Sequence, residues 1–209
     1  MSLSLLPTQA SLLSNLTSSR GPPRTVLVGK LLGGHDASGS LSPSVEDIHG
    51  HVTGMSSTIA ARINNCIGIA GIVKIRPIRL VGTPTGNATE RQVKKAWEMA
   101  NKFNDSDVLV YAAGEPFTKD MSMMYKRVIT EAAGEVEIPC SSANSMPGVV
   151  CVAATLTANP MVLLSEASLL ASFGVPGTEV MVAEMRNEVG QWQYGKGQGS
   201  SCATAILVV

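Results

Sequence analysis

The spacing of apolar residues predicts that helices and strands follow one another along most of the chain. Residues 89–103 show the three-to-four spacing of an amphipathic helix, and Thr89 with Gln92 fits a capping box at its start. Its predicted apolar face consists of Val93, Ala96, Trp97, Ala100 and Phe103. A second amphipathic helix is predicted over residues 118–133, and a buried helix over residues 49–61.

Short runs rich in Val and Ile predict strands between these helices. They cover residues 24–32, 71–81, 107–113, 148–155 and 178–185. The run 107–113 is apolar throughout, which is typical of a parallel strand that is buried on both faces. Residues 33–48, dominated by Gly, Ser, Asp and Pro, are predicted to be loop. The alternation of strands and helices indicates an α/β fold with a mainly parallel sheet flanked by helices.

Composition narrows the classes of protein that this chain can belong to. With 209 residues, 44% hydrophobic and 15% charged, it has enough apolar sequence for one domain with a sizeable core. Its 16 basic and 16 acidic side chains cancel, so no basic surface for nucleic acid is expected. No apolar run reaches the roughly 20 residues that cross a membrane. We interpret residues 1–23 as a flexible, unmatched leader without a convincing secretory signal, and residues 24–209 as the domain.

The four cysteines do not have the spacing of a zinc site, because no Cys-x-x-Cys pair occurs. Cys140 and Cys151 bracket a turn-rich stretch. They either form a disulfide in an oxidising compartment or remain buried thiols, and the sequence leaves both alternatives open. Cys202 is expected to be a small packing residue.

Two short motifs carry the candidate chemistry. Residues 49–54 read His-Gly-His-Val-Thr-Gly, and far downstream residues 199–204 read Gly-Ser-Ser-Cys-Ala-Thr. In this order they resemble the base and nucleophile segments of the subtilisin-like serine proteases (subtilases, peptidase family S8). The family's base is the first His of a helix that opens His-Gly-Thr-His-Val-Ala-Gly, and its nucleophile lies in Gly-Thr-Ser-Met-Ala-Thr. Matching the first His to His49 leaves the Thr out and places the nucleophile at Ser201.

Further segments resemble the family in the same order along the chain. They are residues 64–72, 107–116, 146–155 and 172–177. The resemblance implies a subtilisin-like three-layer sandwich and a serine endopeptidase that needs no cofactor for catalysis. It implies that Gly114 and Glu115 lie at the strand edge that binds the substrate backbone. Since the family often binds Ca²⁺ at the loop of two asparagines, Asn65 is a candidate ligand, with a plain turn as the alternative.

The resemblance is incomplete at the third member of the triad, the carboxylate. Residues 1–35 contain neither Asp nor Glu, and the acids before His49 are only Asp36, Glu46 and Asp47. The family's catalytic Asp ends an early strand well before the His, whereas Asp36 lies in a stretch that resembles a later, non-catalytic segment. We therefore expect the strand with the catalytic Asp to be absent and the leader to stand in its place.

The oxyanion-binding side chain cannot be identified from the sequence either. Glu115 and Glu135 follow the two Ala-Ala-Gly stretches in which the family places an Asn, and a carboxylate would repel a developing oxyanion. Asn144 lies nearby in sequence but is interpreted as a turn residue. We also expect the C-terminal elements of the family to be absent after Ser201. Because losing the triad acid alone costs about 10⁴-fold in rate, we expect this chain to be inactive despite its ancestry.

Three functional hypotheses follow. The first is a monomeric subtilisin-like serine endopeptidase that acts on polypeptides through Ser201 and His49. The second is a non-catalytic pseudoprotease that binds peptides by β-augmentation at the Gly114 edge. The third is a non-functional gene product. The family is mostly secreted, but the sequence does not indicate where this chain resides. A metal site at the three histidines and a phosphate-binding loop are disfavoured, since neither has the required spacing.

Overall fold

A computed structural model describes the chain over residues 3–6, 9–10, 26–41, 45, 47, 50–64, 68–81, 88–106, 108–111, 150–159, 162–164, 171–184 and 193–208. The helices are α1 (His51–Ala60), α2 (Glu90–Ala100) and α3 (Ser200–Leu207). The strands are β1 (Leu3–Leu6), β2 (Gln9–Ala10), β3 (His35–Asp36), β4 (Lys74–Ile75), β5 (Ile78–Arg79), β6 (Val108–Tyr111), β7 (Val152–Thr155), β8 (Phe173–Pro176), β9 (Val180–Glu184) and β10 (Gln193–Gly197).

The largest sheet has four strands in the order β3-β5-β1-β6. Strand β3 is parallel to β5, and β1 is antiparallel to both β5 and β6. Strands β5 and β6 therefore run in the same direction on either side of β1. Two further pairs, β2 with β4 and β7 with β8, are parallel, while β9 and β10 are antiparallel. The prediction of an α/β fold with parallel strands and flanking helices is confirmed.

The N-terminal segment is part of the main sheet over the residues that the structure describes. The interpretation of residues 1–23 as a leader distinct from the domain stays a prediction; within that segment, β1 pairs with β6 from Leu3 opposite Tyr111 to Leu6 opposite Val108. Strand β2 likewise pairs with β4. Facing backbone edges of β5 and β6 would be costly to leave without hydrogen-bond partners, and β1 supplies them.

Helix α2 forms as its sequence predicts. Thr89 and Gln92 make the capping box, in which the Gln92 side chain accepts from the Thr89 backbone at 2.8 Å. The predicted inward positions Val93, Ala96, Trp97 and Ala100 are buried. They pack on Ile78 and Leu80, next to the main sheet.

Three predicted strands differ from the structure. Residues 26–30 form a turn around Gly29, whose φ of 74° is incompatible with a strand, although Val26 and Leu27 are buried. The run 71–81 is broken into β4 and β5, since Pro77 between them has no N–H to donate. Strand β6 is not buried along its whole length: Val110 is 3% exposed, but Val108 at the start of the strand is 42% exposed. Leu109 and Tyr111, on the other face, are partly buried.

Other differences concern elements that have no strong pattern of their own. Strand β3 lies within the predicted loop 33–48, and β8 and β10 were not predicted. The helix predicted over 118–133 lies outside the described residues. Helix α1 is confirmed, but it begins at His51 and not at residue 49. A core cluster of Met55, Ile59, Val182, Cys202 and Ala205 joins α1, β9 and α3.

Candidate functional site

Ser201 is the second residue of α3, and it is partly buried. The helix begins after Gly199, which has a φ of 123°, in the region that favours glycine. The Gly199 carbonyl accepts the first intrahelical bond from the Ala203 N–H at 3.1 Å. Backbone N–H groups of the first turn have no intrahelical acceptor, so this end of the helix favours a nearby negative charge. A nucleophile placed here lies beside donors that can stabilise an oxyanion.

Gly177, directly after β8, holds the start of α3. Its carbonyl accepts from the Gly199 N–H at 2.8 Å, and its own N–H donates to Thr155 O at 2.9 Å. A Cβ at Gly177 would lie 2.6 Å from Ala154 Cβ and 2.9 Å from Gly199 O. Only glycine lets β7 and the start of α3 approach the chain this closely. The position of Ser201 therefore depends on a glycine far from it in sequence.

Cys202, next to Ser201, is a free and buried thiol. Burial raises the pKa of this thiol, so it stays protonated and poorly nucleophilic at neutral pH. A Cβ at Gly197 would lie 2.9 Å from Cys202 Sγ, which shows how closely β10 covers it. The structure agrees with the packing role that we predicted for Cys202.

The first turn of α1 is anchored by a buried carboxylate. The N-cap residue Gly50 has a φ of 90° and contributes no side-chain cap. Asp47 takes that role: its Oδ1 accepts from the Gly50 N–H at 2.8 Å. Its Oδ2 accepts from both the Thr53 N–H and the Thr53 hydroxyl, each at 2.8 Å. Asp47 is 9% exposed, so these bonds are largely shielded from water.

Helices α1 and α3 meet through β9 and β10. A Cβ at Gly54 in α1 would lie 3.6 Å from Val182 Cβ, and one at Gly197 would lie 3.3 Å from Val182 Cγ1. Ser57 in α1 adds a polar link, since its hydroxyl donates to Gly54 O at 2.6 Å and accepts from the Ala183 N–H at 2.9 Å. The two helices that carry the sequence motifs are thus packed on a shared strand.

Of the residues predicted from the sequence for catalysis and binding, the structure describes Ser201. The others, His49, Gly114, Glu115 and Asn65, lie outside the described residues, as does Asn144, so their assignments stay predictions. Asp47 is the neighbour that sequence reasoning missed as an anchor. An Asp upstream of a helix that lacks a capping side chain is the signal that could have revealed it.

Two other residues considered from the sequence, Asp36 and Cys151, lie within the described part of the chain. Asp36 Oδ2 lies 3.9 Å from Arg79 Nη1, and Asp36 Oδ1 accepts from the Ser38 N–H at 2.7 Å. These contacts agree with a structural role for Asp36. Cys151 is disulfide-bonded, and its partner lies outside the described residues.

Within the described ranges, no three His, Cys, Asp or Glu side chains come together in a way that could hold a metal ion. No helix in those ranges is long and apolar enough to cross a membrane. The loop of the candidate calcium ligand is described only in part, with Asn64 at a φ of 58°, so calcium binding remains a prediction.

Known proteins resemble this chain in their fold, whereas comparisons of sequence find no match. No protein-family model matches the chain, and no curated protein matches it. The prenylagaramide maturation protease PagA is similar in structure, with a TM-score of 0.62 and 16% identity over 88% of this chain and 67% of that protein. A cold-adapted subtilisin-like serine proteinase has a TM-score of 0.59 and 16% identity over 90% and 69%.

A lanthipeptide protease is similar as well, with a TM-score of 0.60 and 15% identity over 87% of this chain and 66% of that protein. The chain thus spans about two thirds of the length of each of these structures. Identities this low are informative about architecture alone. Together with the site described above, they lead to one conclusion: this chain has the fold of the subtilisin-like proteases.

Proposed function

We propose that this chain is a subtilisin-like serine peptidase whose nucleophile is Ser201. The observation that supports this most directly is the position of Ser201 in the first turn of α3, at an end of the helix that Gly177 and Gly199 hold in place. The subtilisin-like fold supports the same assignment. The proposed substrates are polypeptides, and the proposed active species is a monomer.

The proposed reaction is acyl transfer. A histidine of the segment 49–51, assigned to His49 by sequence, removes the Ser201 Oγ proton as Oγ attacks the substrate carbonyl carbon. The C=O π bond opens to an oxyanion, which backbone N–H groups at the start of α3 stabilise. The histidine then donates the proton to the leaving amine as the C–N bond breaks. Water, activated by the same histidine, hydrolyses the acyl-enzyme.

The expected rate of peptide hydrolysis is so low that the chain would be inactive in a turnover assay, in line with the expectation from its sequence. No carboxylate among the described residues is assigned to the third triad position, and the loss of that acid costs about 10⁴-fold in rate. A stoichiometric covalent probe is therefore a better assay than turnover.

The test is labelling by a fluorophosphonate probe, which reacts with an activated serine. We expect the purified, folded wild-type chain to be labelled and Ser201→Ala to be inert. Ser200→Ala is the matched control, because Ser200 is the adjacent, exposed hydroxyl in the same turn. Labelling that survives in Ser201→Ala, or folded wild-type protein that is never labelled, would contradict the proposed activity.

A second candidate function is peptide binding without hydrolysis. Within the described part of the main sheet, β6 lies at the end of the strand order, and Gly114 follows it closely in sequence. An extended peptide could add to such an edge by backbone hydrogen bonds. Peptide affinity that is equal in wild type and Ser201→Ala, without any cleavage, would favour this function, whereas an insoluble chain would indicate a non-functional product.

A further inference from the structure

We propose that His51, and not His49, is the histidine that acts on Ser201, and that Asp47 is the residue that positions it. This inference rests on the proposed serine peptidase function and changes which side chain serves as its base. It is drawn from the point where α1 begins, from the anchoring of its first turn and from its packing against β9.

The first argument is the register of the motif on the helix. In the family segment the base is the first residue of the helix and a Thr follows two positions later. Helix α1 begins at His51, and Thr53 lies two positions after it. Matching the base to His49 instead removes the Thr from the motif. His49 and His51 are two residues apart, and each residue turns a helix by about 100°, so the two registers cannot be equivalent.

The second argument is the anchoring of the first turn. Asp47 accepts hydrogen bonds from Gly50 on one side of His51 and from Thr53 on the other. The backbone of His51 is therefore held between two bonded residues. Gly50, in the left-handed region with a φ of 90°, turns the chain directly before the helix. His51 is thus held at the start of α1.

The third argument is the route from α1 to the nucleophile. Gly54, in the same turn as His51, packs on Val182, where a Cβ added to the glycine would lie 3.6 Å from Val182 Cβ. Val182 and Cys202 belong to one buried cluster, and Cys202 follows Ser201 directly. Val182 of β9 thus packs against the first turn of α1. It also belongs to the same buried cluster as Cys202, in the first turn of α3.

The proposed roles of His51 and Asp47 differ in kind. His51 exchanges a proton with Ser201 Oγ and is the proposed catalytic base. Asp47 contacts the backbone of α1 and the Thr53 hydroxyl, and acts on the reaction only through the placement of His51. Its carboxylate accepts three hydrogen bonds at the start of the helix, which is a positioning role.

The first experiment compares His51→Gln and His49→Gln by the rate of fluorophosphonate labelling. A general base contributes about 10²–10⁴-fold to the rate, so His51→Gln should be labelled at least about 10²-fold more slowly than wild type. His49→Gln should therefore be labelled about 100-fold or more faster than His51→Gln. The reverse order, or equal losses in both variants, would overturn the proposal.

A second experiment does not depend on activity and separates this inference from the proposed function. Ring resonances of His35, His49 and His51 are assigned in histidine-labelled protein by NMR with the single Gln variants. Ser201→Ala should shift the His51 ring resonances and leave those of His49 within error. A shift at His49 alone, or at neither ring, would refute the placement of His51. A shift at His51 in protein that is never labelled would retain the placement and reject the peptidase function.

Asp47 is tested by rescue. Asp47→Ala removes every acceptor and should slow labelling by about 10-fold or more. Asp47→Asn keeps one carbonyl acceptor for the Thr53 N–H and should recover most of the rate, although both variants lose the negative charge. Equal loss in the two variants would overturn the positioning role, because it would mean that the charge and not the anchoring matters.

Discussion

Helices α1 and α2 are nearly equal in length but are stabilised by different means. Helix α2 carries its own capping box, and its apolar stripe faces the core while charged residues face solvent. Helix α1 has no capping side chain at its N-cap, and eight of its ten residues are buried, among them Thr53, Ser56 and Ser57. The difference teaches that a helix which serves a site can depend on distant partners, whereas a supporting helix can be self-contained.

The same contrast holds for α3. Its start depends on Gly177 for space and on Gly199 for backbone conformation. Neither requirement produces amphipathic periodicity. The two helices that carry the motifs are thus both held by tertiary contacts, and perturbing those contacts should affect stability and labelling together.

The largest expected effect is that of Gly177→Ala. The new methyl group would meet Ala154 Cβ and Gly199 O below 3.0 Å, so β7 or α3 must move. Overpacking of this kind costs about 1–3 kcal/mol in the free energy of unfolding, measured by urea denaturation. Labelling of Ser201 should fall in parallel, because the start of α3 moves.

Gly33→Ala is the control for that prediction. A Cβ at Gly33 meets nothing within 4 Å, and its φ lies outside the left-handed range. It should leave both stability and labelling close to those of wild type. A Gly177→Ala variant that behaves like Gly33→Ala would show that α3 is not held by close approach to residue 177.

The next effect in size is that of Asp47→Ala. Two backbone N–H groups and one hydroxyl lose their acceptor, so the unfolding free energy should fall by about 1–2 kcal/mol. Hydrogen exchange of the Gly50 and Thr53 amides, measured by NMR, should become faster. Unchanged exchange at both amides would break the contrast between a helix anchored from outside and one that caps itself.

A smaller effect is expected for Thr89→Ala, which removes the capping box of α2. Because Thr89 is exposed, water can replace part of the lost bonding, and the cost should be about 0.5–1 kcal/mol. Labelling of Ser201 should not change. Were Thr89→Ala to slow labelling as strongly as Asp47→Ala, the division into supporting and site-bearing helices would be wrong.

The smallest effect concerns pH. Desolvation by burial, and then the positive charge of Arg76, lower the pKa of His35 below 6.5. The folded state thus binds the His35 proton less readily than the unfolded state, and stability is lost as pH falls from 6.5 towards the folded pKa. His35→Gln should remove this part of the pH dependence of urea unfolding. An unaltered pH profile in that variant would contradict the shift.

What could be predicted of the fold follows the same division between the self-contained helix α2 and the helices α1 and α3, which are held by contacts from outside. Helix α2 and its buried face are predictable from the sequence, because the capping box and the periodicity are local. A short motif makes Ser201 the candidate nucleophile. The sequence prediction was less accurate elsewhere. It misplaced the start of α1 by two residues, since the anchor Asp47 acts from outside the helix. It treated the run 71–81 as one strand, although Pro77 breaks it.

Other features could not be inferred from local patterns. Strand β1 takes its place between β5 and β6 because of backbone pairing, which requires no particular side chains. Strands β8 and β10 are short and contain glycine, so their β character comes from their partners. The exposure of Val108 at the start of β6 is likewise a property of the assembled sheet, since Val110 on the same face is buried.

By itself, the sequence determined the α/β class and the autonomous helix α2 and indicated Ser201 as the candidate nucleophile, since these depend on residues close to one another in the chain. Only the tertiary structure decided that α3 starts against Gly177 and that α1 and α3 both pack into the buried cluster that contains Val182. The physical reason is that local periodicity and capping are encoded within a few residues, whereas steric fit and buried hydrogen bonds join residues that are distant in sequence.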